Sequence, residues 1–301
     1  MHTLAQSDPM VVGMGADTTF NVGLKGMYAE FPERVINVGI AEQNMMGMAA
    51  GLAASGFKVY AGSFAPFVAM RSLEQFRTFI AYPHLDVTIG GGMGGISASV
   101  EGVTHQCQED ISIMRSIAGT VIVNPADTAS CDAVMKSLGN HSGPAYVRLG
   151  KLPFYQVFDE NYKFEIGKAN LLEEGEDATV IATGSIVYRA LQARDILREL
   201  GIQIRVLEMP CIKPLDEEAV YRAARDTGAI VTAEESTIIG ALGSAVAEYL
   251  VENIPVPMRR IGLQDVFCES GDLYDLMNQY GMGVKDIVDA VKEVVSRKKI
   301  S

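Results

Sequence analysis

Short apolar, β-rich runs alternate with longer stretches of helical period along this chain. Runs at Met10–Gly13, Val35–Val38, Lys58–Ala61, Asp86–Ile89, Thr120–Val123 and Ala145–Arg148 predict strands. Patterns over Glu42–Ala54, Pro66–Ile80 and Thr128–Leu138 predict the helices between them. That rhythm is the signature of a parallel sheet with helices on both faces. The segment Lys151–Phe164 breaks it with aromatics, a proline and no sustained period, and predicts a linker crossing a surface. A second alternation follows. Its strands are expected at Ala178–Ala182, Gln203–Leu207, Ala229–Thr232 and Met258–Ile261. Its helices are expected at Val187–Leu200, Asp216–Thr227, Ala241–Glu252, Gly271–Gln279 and Val284–Arg297. The fold class is therefore α/β, with two consecutive parallel-sheet domains over 1–160 and 161–301. The halves share this rhythm without an internal sequence repeat.

The stretch Val35–Ala54, VINVGIAEQNMMGMAAGLAA, is the most informative. A buried strand leads through a glycine into a helix whose first turn carries Glu42. Nothing else charged stands there, and an acid in so apolar a setting is costly without a partner. Burial alone raises a carboxyl's pKa and suits it to exchanging a proton or hydrogen bond with a ligand. Stabilisation of the helix N-terminus is the structural alternative.

Bulk properties narrow the function. The net charge of -12, with no Lys/Arg cluster, argues against nucleic-acid binding. Arg297–Lys298–Lys299 reads as a solvated helix end. No apolar run is long enough to span a bilayer, and MHTLAQSDP lacks the apolar core of a signal peptide. Cys107, Cys131, Cys211 and Cys268 show no CxxC spacing and read as reduced thiols of a cytoplasmic protein.

Three further constellations could carry chemistry. In GSFAPFVAMR, Phe64 and Phe67 follow a strand at its C-terminal end, where open α/β sheets bind ligands, and could sandwich a flat heterocycle. Ordinary core packing is the alternative. In EGVTHQCQED, His105 sits on a polar loop, where Glu101 and Glu109 could orient it for proton transfer; a structural histidine remains open. Arg148 ends the strand AYVR and could grip a phosphate or carboxylate, or make a salt bridge. Gly90, Gly92 and Gly95 match a dinucleotide fingerprint formally, but no helical period follows them. No phosphate loop of the GxxxxGKS/T type and no zinc ligand set is present, so no metal site is assigned to the chain.

Together, NVGIAEQNMMGMAAGLA, the SFxxF segment and EGVTHQ closely resemble the transketolase family. ATVIATGS, IKPLDEEAV, GAIVTAEE and IGALGSAVAEYL resemble that family's last domain. The resemblance implies a thiamine diphosphate enzyme, here limited to the pyrimidine-binding and C-terminal domains. The missing GDG…N motif implies a separate N-terminal subunit that supplies the pyrophosphate domain and Mg²⁺, in an α₂β₂ assembly. Glu42 matches the glutamate that bonds N1′ of the aminopyrimidine. Phe64 and Phe67 match the aromatics on that ring, with Met70 where the family often has a tyrosine. Asp17 matches an aspartate near the cofactor, His105 a histidine contacting donor hydroxyls, and Arg148 an arginine at the substrate phosphate.

The departures concern the substrate. Glu101 stands where the family has the aspartate of DGxTH, Met93 where it usually has a phosphate-binding histidine, and Asn21 where it has a serine. These changes imply a ketose with an unusual distal end, branched, sulfonated or differently phosphorylated. Of the helix that usually precedes the first strand, only MHTLAQS is expected. The resemblance leaves two alternatives: the beta subunit of a 2-oxo acid dehydrogenase, or a noncatalytic assembly or regulatory partner.

Overall fold

The computed structural model describes residues 1–151 and 154–298. Leu152 and Pro153 of the expected linker, and Lys299 of the basic helix end, lie outside these residues.

The first domain runs α1 (His2–Ser7), β1 (Val11–Gly15), α2 (Lys25–Glu30), β2 (Val35–Asn37), α3 (Glu42–Ala54), β3 (Lys58–Phe64), α4 (Leu73–Gln75), β4 (Val87–Gly92), α5 (Asp110–Arg115), β5 (Val121–Val123), α6 (Thr128–Leu138) and β6 (Ala145–Arg148). The second runs β7 (Asn170–Glu173), β8 (Ala178–Ala182), α7 (Val187–Glu199), β9 (Ile204–Glu208), β10 (Cys211–Lys213), α8 (Glu217–Thr227), β11 (Ile230–Thr237), α9 (Leu242–Asn253), β12 (Met258–Leu263), α10 (Leu273–Gln279) and α11 (Val284–Lys298). The sheets have orders β10-β5-β6-β4-β3-β1-β2 and β12-β11-β8-β9-β7. All pairings are parallel except those of β10 with β5 and of β7 with β9.

Helices α3 and α6 have the bounds their periodicity predicts, and most strands shift by a few residues. Three expectations change. The helix expected over 66–80 is broken: π-helical turns at Phe67–Arg71 and Phe76–Ala81 flank α4. At the end of the first of these turns the Ser72 hydroxyl donates back to the carbonyls of Phe67 (3.1 Å) and Val68 (3.3 Å). The strand expected at Asp86–Ile89 runs on through Gly90–Gly92 to the end of β4, where Gly91 leaves room for the Tyr146 hydroxyl. The expected domain division at 160/161 is also crossed. β10 lies far into the second half yet pairs with β5 and completes the first sheet.

The linker is tied down by buried acids. Asp127 caps α6 and accepts from the backbone N–H groups of Val157 (2.8 Å) and Phe158 (2.7 Å). Tyr162 and Asn170 donate to Glu208 Oε2 at 2.8 and 2.9 Å, while Glu208 Oε1 is buried with no partner. Burial pushes the Glu208 carboxyl up to about 7.

Candidate active site

The residues singled out from sequence collect at the C-terminal edge of the first sheet, where the parallel strands β1, β3, β4 and β6 all end. Glu42 is the first residue of α3 and only 2 % exposed. Its Oε2 accepts from Arg71 Nη1 at 3.1 Å, and among the described residues Oε1 accepts nothing. Arg71 lies 4.4 Å over the Phe67 ring. Phe64 and Phe67 have centroids 6.1 Å apart, and His105 meets them edge-on at 5.7 and 6.0 Å. A buried acid, a guanidinium and three rings thus form one continuous surface.

This arrangement revises two expectations. The phenylalanines do not form two sides of a sandwich; tilted 42° to each other, they make one aromatic wall with His105. Neither Glu101 nor Glu109 orients that histidine. Thr104 Oγ1 lies 3.0 Å from His105 Nδ1, Glu101 pairs with Lys151, and Glu109 precedes α5 at its N-cap. Arg71 is the residue that sequence reading missed. Its position four after Phe67 in GSFAPFVAMR was the available signal, because a helical turn returns it to the same face.

The loop carrying His105 is clamped between the domains. Gly95 and Cys107 exchange backbone hydrogen bonds at 2.8 Å. The Ile96 N–H donates to Glu235 Oε1 at 3.0 Å, and Ser185 donates to Oε2. Gln106 and Gln108 donate to the carbonyls of Glu269 (3.1 Å) and Val266 (2.8 Å). Gly95 has φ +63, and a Cβ there would sit 2.5 Å from the Glu235 carbonyl oxygen, so only glycine fits this approach. Asp17 and Met93 share that left-handed conformation, at φ 63 and 57. Such strain in non-glycine residues clusters at functional sites. Asp17 is exposed, and its N–H is fixed by Asn37 Oδ1 at 3.0 Å. Met93 is buried, whereas Asn21 and Met70 reach the surface.

Arg148 departs from the phosphate grip expected of it. It is 5 % exposed and faces inward. Nε donates to Asp110 Oδ2 at 2.9 Å, Nη2 to Asp110 Oδ1 and to Ser236 Oγ (3.1 Å), and Nη1 to the Glu235 carbonyl (2.7 Å). Tyr146 donates to the same carboxylate at 2.6 Å. Burial pushes the guanidinium down, but the charge and hydrogen bonds of Asp110 outweigh it and hold it above its ordinary value. The physical reason is complementarity: a buried carboxylate needs the fork that Arg148 supplies.

Comparison with known proteins decides the family. The transketolase pyrimidine-binding domain matches residues 1–155, and the transketolase C-terminal domain matches 167–287. The chain belongs to the transketolase family. It has the two-domain form of a split transketolase's C-terminal subunit. It is 44 % identical over 294 residues to the 6-deoxy-6-sulfo-D-fructose transketolase subunit SqwH of Clostridium sp. (strain MSTE9), covering 98 % of this chain and 91 % of that one. It is 40 % identical over 295 residues to an apulose-4-phosphate transketolase subunit of Phocaeicola vulgatus, covering 98 % and 94 %. Among solved structures, a split gene transketolase described as an inactive beta4 tetramer superposes with TM-score 0.90 at 40 % identity, covering 99 % and 95 % of the two chains. With the fold and both domains of the family in place, the chain is a transferase subunit. Among the described residues no helix is long and apolar enough to cross a membrane.

Proposed function

We propose that this transketolase subunit joins an N-terminal partner in an α₂β₂ enzyme of the cytoplasm. That enzyme moves a two-carbon ketol unit from a modified ketose, phosphorylated or sulfonated, to an aldose. One observation carries the reading: a nearly fully buried Glu42 with a free oxygen, beside an aromatic wall at the open edge of the sheet. These residues fit thiamine diphosphate. Phe64 and Phe67 would hold its flat aminopyrimidine, Met70 would reach the ring's rim, and Glu42 Oε1 would offer a hydrogen bond or proton to N1′. Bound there, the coenzyme supplies the electron sink for breaking the ketose carbon–carbon bond. Asp17, exposed and held in a left-handed conformation, would stand beside the coenzyme. The partner supplies Mg²⁺ or another divalent cation and the diphosphate cradle.

His105 does the remaining work on this chain's side. With Nδ1 beside the Thr104 hydroxyl, Nε2 is left to meet a donor hydroxyl and move a proton there. Asn21 and Met93 border the distal end of the sugar and weaken the usual phosphate contacts. Relatives named for sulfofructose and apulose 4-phosphate support a modified donor.

Glu42→Gln in the reconstituted two-chain enzyme tests the reading. It preserves shape, removes the exchangeable proton and turns the ion pair with Arg71, whose own side chain is half exposed and stays solvated, into a neutral hydrogen bond. Folding should be unchanged and turnover should fall by at least about 100-fold. Full activity would favour a noncatalytic subunit. A ketose panel identifies the donor, and ordinary transketolase rates on xylulose 5-phosphate would rule out the modified-donor proposal.

A further inference from the structure

With Arg148 withdrawn into the domain interface and Arg71 held by Glu42, the charge at the far end of the donor needs another receptor. Lys151 is placed for it. The chain leaving β6 runs beside the end of β4: the Leu149 N–H donates to the Gly91 carbonyl at 2.8 Å, and the Gly94 N–H to the Leu149 carbonyl at 3.1 Å. Lys151 comes two residues after this contact; the cleft of about 410 Å³ that it lines with Val22 and Gly23 takes in none of Glu42, Phe64, Phe67, Met93 or His105, so Lys151 is tied to the site through Glu101. Its Nζ lies 2.7 Å from Glu101 Oε1. Glu101 belongs to the turn whose next residue, Gly102, accepts from the His105 N–H at 3.0 Å.

Resting on the ketol-transfer reading above, we infer that Lys151 binds the anionic distal group of the donor and that Glu101 is its resting counter-ion. The pair is accessible, with side chains 22 % and 35 % exposed. Ion pairs of that kind contribute little, so an incoming dianion or sulfonate can displace the carboxylate. The Arg148–Asp110 pair cannot be exchanged in that way without stranding a buried charge. The methylene that Glu101 has beyond an aspartate lengthens its reach toward Nζ. An ammonium is a compact point charge without the bidentate fork of a guanidinium, so it accepts any tetrahedral oxyanion on the terminal carbon.

The co-expressed two-chain enzyme, as wild type, Lys151→Met and Lys151→Arg, is assayed on fructose 6-phosphate, 6-deoxy-6-sulfofructose and fructose. Lys151→Met should raise KM for the two anionic ketoses about 10- to 100-fold, leave kcat within about twofold and leave fructose unaffected. Lys151→Arg should restore most of the loss. Inorganic sulfate should raise the melting temperature of wild type more than that of Lys151→Met, a readout independent of turnover. The anionic ketose with the lower wild-type KM tells whether a phosphate or a sulfonate is the native group. Equal loss on all three ketoses, no loss on any, or an arginine variant as poor as methionine would overturn the inference. A wild-type enzyme inert on every ketose would instead overturn the ketol-transfer reading, with sulfate protection then deciding Lys151 alone.

Discussion

Replacing Arg148 by methionine separates two roles for this guanidinium, because a substrate grip and an interdomain rivet fail in different ways. The substitution keeps the bulk of the stem and removes every polar contact. Asp110, 0 % exposed, would lose both its Arg148 bonds and keep only the Tyr146 hydroxyl at 2.6 Å. The Glu235 carbonyl and Ser236 hydroxyl would lose a charged donor as well. Breaking one side of a buried ion pair costs about 3–5 kcal/mol. The surviving Tyr146 bond favours the lower end, near about 3 kcal/mol. At about 2–4 °C per kcal/mol for a chain of this size class, the melting temperature should fall by about 6–12 °C. Calorimetry of the purified chain reads this directly. Asp110→Asn combined with Arg148→Met should cost less than the sum of the single changes, since the double variant strands no charge. A variant that melts with the wild type but shows a raised KM for an anionic ketose would refute the rivet and restore the phosphate grip.

Two further outcomes test the frame around the site. Glu208 has its folded pKa raised from 4.5 to about 7 by burial, so the native state holds a proton that the unfolded chain releases between those values. Stability should therefore be greatest below pH 4.5 as far as this group is concerned, and should decline by about 3 kcal/mol as pH rises to 7. Glu208→Gln should flatten that slope, measured as the urea midpoint at pH 5 and pH 7.5; parallel slopes in the two proteins would refute the assignment. Gly95→Ala should lower the melting temperature by an amount corresponding to about 1–3 kcal/mol, through its left-handed backbone and the approach to the Glu235 carbonyl, and should depress turnover by displacing the His105 loop.

The elements that local pattern determines were legible. Helix α3 matches its expected span because its small and sulfur-containing side chains keep one apolar face and Glu42 opens its first turn. Strand β6 matches because a short apolar run ends at a charge. What pattern cannot carry is long-range partnership. Arg148 looks like a free cation until Asp110, on the six-residue helix α5, is folded against it. Three-residue β10 has no period of its own and becomes a strand only by pairing with β5. The first π-helical turn ends at Ser72, whose hydroxyl returns to carbonyls of that turn, a contact that no hydrophobic period announces. The spacing of Phe64 and Phe67 placed both rings at one strand end, but their meeting with His105 comes from the crossover that packs the loop after β4 onto them.

Strand β10 also constrains how this polypeptide can be dissected. A fragment stopping near residue 160 would lack Cys211–Lys213 and leave a bare row of backbone donors and acceptors along β5. It would also lose the Lys213 ammonium that bridges the carbonyls of Arg115 and Ile117 at 2.9 and 2.6 Å. The first domain borrows its outermost ribbon from the second, so it does not close its sheet at that edge without the other half.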